Sequence, residues 1–245
     1  MLNLIRVEIL KTRRTMAFLM TFVCPLLVVL GVFIGALLSK KGLGDPTWLT
    51  GYWDRTVMIW CAMMQPLYLA LVLALLNGTD HKNATWRVML TQPISTRSLF
   101  AAKLVLGLML MLAANLICLI ATQVCIYLLG ALGYTSVTDL PTFYVIFFAK
   151  IVLGAITIVV IQHSLSWRFQ NFAVPLTFGF FATIASGIIS KGPYWVYTPW
   201  NYGLVANIGS SSDMKEKALY LATAVSAATI FLSITWFGRK RLDFH

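Results

Sequence analysis

The run MAFLMTFVCPLLVVLGVFIGALL, residues 16–38, holds no charged residue and is long enough to cross a bilayer. A helix rises about 1.5 Å per residue, so roughly 20 apolar residues span a hydrocarbon core of about 30 Å. A basic flank with Arg6, Lys11, Arg13 and Arg14 precedes it, as in a signal peptide. The run exceeds an h-region, however, and no small-x-small cleavage site follows it, so an uncleaved first helix is expected. Five more apolar segments lie outward from it: about Val57–Leu76, Leu104–Leu132, Phe143–Leu165, Phe172–Ile189 and Ala218–Phe237. Of 245 residues, 59% are apolar and 11% charged. Soluble chains carry about 25% charged residues, so this composition cannot cover a water-facing surface. The expected fold is an all-α integral membrane protein with six transmembrane helices.

Six crossings put both termini on one side. With that side cytoplasmic, the inner segments hold twelve Lys and Arg: Arg6, Lys11, Arg13, Arg14, Lys82, Arg87, Arg97, Lys103, Arg168, Arg239, Lys240 and Arg241. The outer loops hold six, Lys40, Lys41, Arg55, Lys191, Lys215 and Lys217, and Lys150 lies within a span. Positive charge accumulates on the cytoplasmic side of membrane proteins, so both termini are expected there. The net charge of +11 is spread over the ends of apolar runs rather than gathered in one block, which argues against nucleic acid as a partner. One membrane domain fills residues 1–245: an N-terminal interfacial segment 1–15, a cytoplasmic loop 79–103 and an aromatic outer loop 190–217. Within 1–15, Leu2, Ile5, Ile9 and Met16 make a ragged apolar stripe beside the basic residues, which suits an interfacial helix.

Cys24, Cys61, Cys118 and Cys125 all fall in apolar runs without metal or CxxC spacing and read as small buried hydrophobes. Gly31 and Gly35 form a GxxxG, and Ala218/Ala222 and Ala224/Ala228 repeat small-xxx-small spacing, which permits close helix contacts. Pro25, Pro66 and Pro175 lie within spans, where prolines are tolerated and mark kinks.

The acids Glu8, Asp45, Asp54, Asp80, Asp139, Asp213, Glu216 and Asp243 lie in termini or connecting segments. Intramembrane carboxylates mark ion pathways, so an ion-coupled carrier or an aspartyl intramembrane protease is disfavoured. No HExxH occurs, and no GxxxxGK[ST] phosphate loop. His163, in VVIQHSLSWRF, reads as a neutral histidine hydrogen-bonded near the interface. Lys150 reads as a snorkelling side chain or a helix start, and Asn115 and Gln123 as interhelical hydrogen-bond partners. Ser164 beside His163 makes no dyad, because adjacent helical residues diverge by about 100°. The chain is therefore expected to be no enzyme, with no metal and no cofactor of its own. Uphill work would need nucleotide hydrolysis by another polypeptide.

Between spans two and three the chain reads TDHKNATWRVMLTQPISTRSLFAAKL, residues 79–104. Asp80 can cap a short helix running to about Thr91, which Pro93 ends. Ser95 can cap the next helix, with Ile94 and Leu99 at the spacing of a hydrophobic staple. On the short helix Trp86, Met89 and Leu90 share a face, with Lys82 and Arg87 nearby. Arg97 and Lys103 sit on the new helix. Such a stub either lies in the headgroup layer or fits the groove of a cytoplasmic partner.

The six-span plan with its basic N-terminal segment resembles the permease subunit of a type-2 superfamily ABC exporter. Within it, the chain is similar to permeases of lantibiotic and bacteriocin self-immunity and bacitracin-type resistance. The matching residues are Asp80, Thr85, Trp86, Pro93, Ser95, Arg97 and Lys103 in the loop, and Pro199, Trp200 and Tyr202 in YTPWNYG. The chain departs from the family at Asp80, often Glu, and at Ala84, often Gly. The resemblance implies an elbow helix at the N-terminus and a coupling helix over Ala84–Leu90 that docks on the ATPase. Asp80, Ala84, Thr85, Trp86, Arg87, Met89, Leu90, Pro93 and Arg97 would serve this coupling. It also implies a cytoplasmic ABC ATPase dimer that binds ATP and Mg, a second six-helix permease (identical or related), and a bacterial cytoplasmic membrane. The implied cargo is an amphipathic antimicrobial peptide or hydrophobic antibiotic removed from the membrane. Tyr194, Trp195, Tyr197, Trp200 and Tyr202 would anchor the outer loop at the interface or meet substrate at the outer leaflet. The alternatives are a non-transporting membrane scaffold and a permease for another lipid-like or drug substrate.

Overall fold

The computed structural model describes residues 2–39, 48–82, 95–134 and 142–237. Helices and short turns make up these residues, and no strand occurs among them. In chain order they are α1 (Leu2–Thr12), α2 (Met16–Ser39), α3 (Trp48–Ile59), a π-helical turn (Trp60–Met64), α4 (Gln65–Lys82), α5 (Thr96–Ala131) and α6 (Thr142–Arg168). There follow α7 (Ala173–Ile189), 3-10 turns at Trp195–Tyr197 and Pro199–Asn201, α8 (Tyr202–Ile208) and α9 (Ser212–Phe237).

Among the described residues, five stretches are long and apolar enough to cross a membrane: Met16–Ser39, Gly51–Gly78, Thr96–Ala131, Val145–Arg168 and Ser212–Trp236. The fifth apolar segment of the sequence folds as α7, whose 17 residues fall short of the others. At 1.5 Å per residue α7 rises about 25 Å, less than a hydrocarbon core of about 30 Å. The second span starts earlier than its apolar run, because α3 begins at Trp48 and carries Asp54 and Arg55 on its exposed side. Where α3 meets α4, the Gln65 amide donates to the Trp60 carbonyl, one residue wider than an α-turn. Pro66 follows at once and has no N–H to give; the widened turn absorbs that missing bond.

Helix α6 is central and packs on α4, α5, α8 and α9; α2 lies against α4 and α5, and α1 against α5. Ala155, Ile158, Val159 and Val160 bury the middle of α6 almost completely. Its crossing with α8 is backbone on backbone. A Cβ at Gly154 would lie 2.6 Å from the Gly203 Cα and 3.0 Å from the Tyr202 carbonyl carbon.

The small-residue patterns separate in space. Ala218 and Ala222 are buried inside the bundle, whereas Ala224 and Ala228 are exposed. Gly31 and Gly35 face outward from α2, with open space where a Cβ would stand. The inward face of α1 is Leu4, Ile5, Glu8, Ile9 and Thr12, while Val7 and Leu10 point outward. Met16, expected in that stripe, is exposed, because the break at Arg13–Thr15 starts a new helix out of phase with α1.

Candidate functional site at the roots of the 83–94 loop

Helices α4 and α5 lead into and out of residues 83–94, and two buried polar networks join the two helices near those ends. The first centres on Lys103, 1% exposed, and Glu8, 3% exposed. The Lys103 ammonium lies 3.0 Å from Glu8 Oε2 and donates to the Leu76 carbonyl at 3.3 Å. Lys11 donates to Glu8 Oε1 at 2.9 Å. A buried ammonium is tolerated only with a counter-charge and acceptors around it, and here α1 supplies the charge while α4 supplies the carbonyl.

Burial alone would raise the Glu8 carboxyl, but the neighbouring Lys103 and Lys11 charges and hydrogen bonds outweigh it and hold the group below its usual 4.5. A carboxylate depressed in the folded state stabilises the fold above its unfolded pKa and loses that contribution as pH falls through the lower, folded value. Attachment of α1 is therefore expected to persist at pH 4.5 and to loosen only under stronger acid. Hydrogen exchange of residues 2–12 against pH checks this, and loosening already between pH 7 and 5 would contradict it.

The second network centres on His163, fully buried. One ring nitrogen, Nε2, faces the Phe100 carbonyl at 3.2 Å, and the other, Nδ1, faces the Asn77 amide nitrogen at 3.2 Å. A carbonyl only accepts, so Nε2 carries the proton and Nδ1 accepts from Asn77. The same Asn77 nitrogen lies 2.6 Å from Ser166 Oγ and 3.2 Å from the Leu73 carbonyl, so its two hydrogens are shared among three acceptors. Ser166 in turn donates to the His163 carbonyl at 3.0 Å. The Phe100 ring packs on His163 and Trp167, with centroids 4.5 and 5.2 Å apart. The reading of His163 as a hydrogen-bonded histidine agrees with this geometry. Ser164 turns away, bonding the Val160 carbonyl and Ser233 Oγ.

Asp80 lies in the last turn of α4, which continues to Lys82. The expectation that it caps a separate helix is corrected, because the α4 backbone runs unbroken through it. Ala84, Thr85, Trp86, Arg87, Met89, Leu90 and Pro93 lie outside the described residues. Ser95 caps α5 as its sequence suggests, accepting the Ser98 amide at 3.1 Å. Arg97 is exposed on the first turn of α5, and Leu99 is buried. Sequence reasoning missed Glu8, Asn77 and Ser166 as a set. A signal for Glu8 was present, since it is the sole acid before Asp45 in a basic flank.

Farther along the bundle, Asn115 Oδ1 accepts from Trp60 Nε1 at 2.8 Å and from Gln65 Nε2 at 3.0 Å, clamping both ends of the π turn. Tyr68 donates to the Leu110 carbonyl at 3.0 Å and meets Thr21 Oγ1 at 3.1 Å. Beside this clamp a small cleft lies among Trp53, Val57, Trp60, Cys118, Phe147 and Ile151. Lys150 is half-buried, its ammonium 5.9 Å from the Phe147 ring centroid. The four cysteines are buried and unpaired.

The aromatic segment divides. Tyr194 and Tyr197 are 71% and 53% exposed, whereas Trp200 and Tyr202 are buried. Trp195 is half-buried, its Nε1 3.1 Å from Met214 Sδ. Lys217 donates to the Tyr197 hydroxyl at 2.7 Å. The five aromatics therefore do not form one platform: Trp200 packs on Phe178 of α7, and Tyr202 begins the buried α8.

Residues 4–186 match the family described as ABC-2 family transporter protein. No curated protein and no solved structure matches the chain. That match covers most of the chain, including α1, the loop and both networks behind it. The chain belongs to the ABC-2 transporter family, as a multi-pass membrane protein and a permease component of an ABC transporter.

Proposed function

We propose that this chain is one half of an ATP-driven exporter, crossing the membrane six times with both termini in the cytoplasm. A dimeric ABC ATPase, carrying ATP and Mg, docks on the 79–103 loop through a coupling helix at Ala84–Leu90. A second six-helix permease completes the pathway. The observation that carries this reading is the bonded base of the loop. Asn77 and Lys103 lock its two roots to α6 and α1, as a force-receiving element requires. The absence of any phosphate-loop sequence supports an external source of hydrolysis.

The cargo of this reading is an amphipathic antimicrobial peptide of the lantibiotic or bacteriocin type, or a hydrophobic antibiotic. It is taken from a bacterial cytoplasmic membrane and expelled outward. The apolar lining of the cleft supports a cargo with a hydrophobic part, since Thr56 and Trp60 at its wall already donate to the Tyr52 carbonyl and Asn115 Oδ1. Exposed Tyr194 and Tyr197 are the outer-loop aromatics open to such a molecule.

The test is co-purification of the tagged full chain from its native membranes. Wild type is expected to bring down an ABC ATPase, and Trp86→Asp with Met89→Asp to lose at least nine-tenths of it while staying in the membrane. ATPase retained in full by the double variant would remove the docking assignment, and its absence from wild type would remove the transporter reading.

A further inference from the structure

Among the described residues, charge is buried most deeply where nothing in membrane crossing calls for it, at Glu8 and Lys103. A buried ion pair is a weak device for stability, since well-packed apolar side chains of similar volume serve as well. What it does supply is a fixed orientation between the elements that carry the charges. Here those elements are α1 and α5, and the same ammonium is also tied to the Leu76 carbonyl of α4. Lys103 therefore joins three helices at one atom.

Its position in the chain matters. Lys103 lies seven residues into α5 from Thr96, and Leu76 lies six residues before Lys82 at the end of α4. At about 1.5 Å per residue, each is only about 10 Å of stiff helix from the loop. Displacement of residues 83–94 would thus move Leu76 and Lys103 nearly as rigid levers. One residue beyond Leu76, Asn77 holds His163 of α6, and one turn before Lys103, Phe100 receives the other side of the same ring. The two branches differ in kind. The α6 branch is a set of neutral hydrogen bonds within the bundle, whereas the α1 branch is an ion pair to a helix at its edge, whose Leu4, Ile5 and Ile9 also face inward.

We infer that Lys103 is a positioning residue that transmits movement of the loop to the N-terminal helix α1, through its bridge to Glu8. The inference rests on the proposed docking of an ATPase at the loop and assigns the next step inside this chain. When the loop shifts, Lys103 carries Glu8 with it and α1 re-orients; without the bridge, α5 moves and α1 stays. Lys11, on α1 itself, touches the same carboxylate at 2.9 Å.

The experiment is hydrogen–deuterium exchange on the co-purified permease–ATPase complex, with and without ATP plus orthovanadate. In wild type, nucleotide trapping is expected to change exchange in residues 95–103 and in residues 2–12. Lys103→Met is expected to keep the change at 95–103 and to lose at least four-fifths of that at 2–12. A wild-type complex that responds at 95–103 but not at 2–12 overturns the inference with the transporter reading intact. So does an α1 that responds fully in Lys103→Met. A wild-type chain that binds no ATPase fails at the docking step, and the relay falls with it.

Discussion

Replacing Glu8 by leucine is expected to cost the fold about 3–5 kcal/mol, the usual penalty for removing one partner of a buried ion pair. Lys103, 1% exposed and buried among α1, α4 and α5, loses the carboxylate 3.0 Å from its ammonium. The reverse change is expected to be milder. Lys103→Met leaves Glu8 beside Lys11, at 2.9 Å and partly exposed, so the carboxylate keeps a counter-charge, and methionine fills most of the lysine stem's volume. A loss of about 1–2 kcal/mol is expected for it, the scale of a broken hydrogen-bonded contact. Thermal unfolding of both variants in one detergent measures the order, and Lys103→Met proving the more damaging would reverse the assignment of partners. This asymmetry also makes Lys103→Met usable in the exchange experiment, because it cuts the bridge in a chain that still folds.

The second large effect is expected at Gly154. Alanine there would drive its Cβ into the Gly203 backbone nitrogen and within 2.6 Å of the Gly203 Cα. Overpacking against side chains costs about 1–3 kcal/mol, and here the obstacle is helix backbone that has no rotamer to change, so a loss of at least about 3 kcal/mol is expected. The matching change across the crossing should be tolerated. A Cβ on Gly203 meets the Ile151 carbonyl oxygen at 3.5 Å and Cys61 Sγ at 3.8 Å, ordinary van der Waals distances. Gly203→Ala is expected to stay within about 1 kcal/mol of wild type. Comparing the two unfolding midpoints checks the pair; equal effects would mean that α6 and α8 separate more easily than their contact implies.

Sequence alone determined the membrane class, because that depends on composition and run length, which are summed along the chain and need no partner. It also placed the α5 start, since the Ser95 cap is a local bond to the Ser98 amide. The resemblance read from Asp80, Thr85, Trp86 and Pro199–Tyr202 reached the right superfamily. Other readings depended on which side of a helix faces a neighbour, and these the sequence left open. GxxxG at Gly31 and Gly35 looks the same in sequence whether it faces the bundle or, as here, points outward. The outer aromatics read as one cluster, yet the fold buries Trp200 and Tyr202 and exposes Tyr194 and Tyr197. Asp80 carried a cap signature that the continuing α4 overrode.

The polar node shows the division most clearly. Glu8 and Lys103 stand far apart in the chain, as do Asn77 and His163, and no local spacing relates either pair. Each residue taken singly reads as a flank charge or an interfacial polar group. Only the packing of α1, α4, α5 and α6 at one end of the bundle removes water from all four. Once dry, a charge or a polar nitrogen must find its partner within about 3 Å, and that requirement, which belongs to the tertiary structure, pairs them.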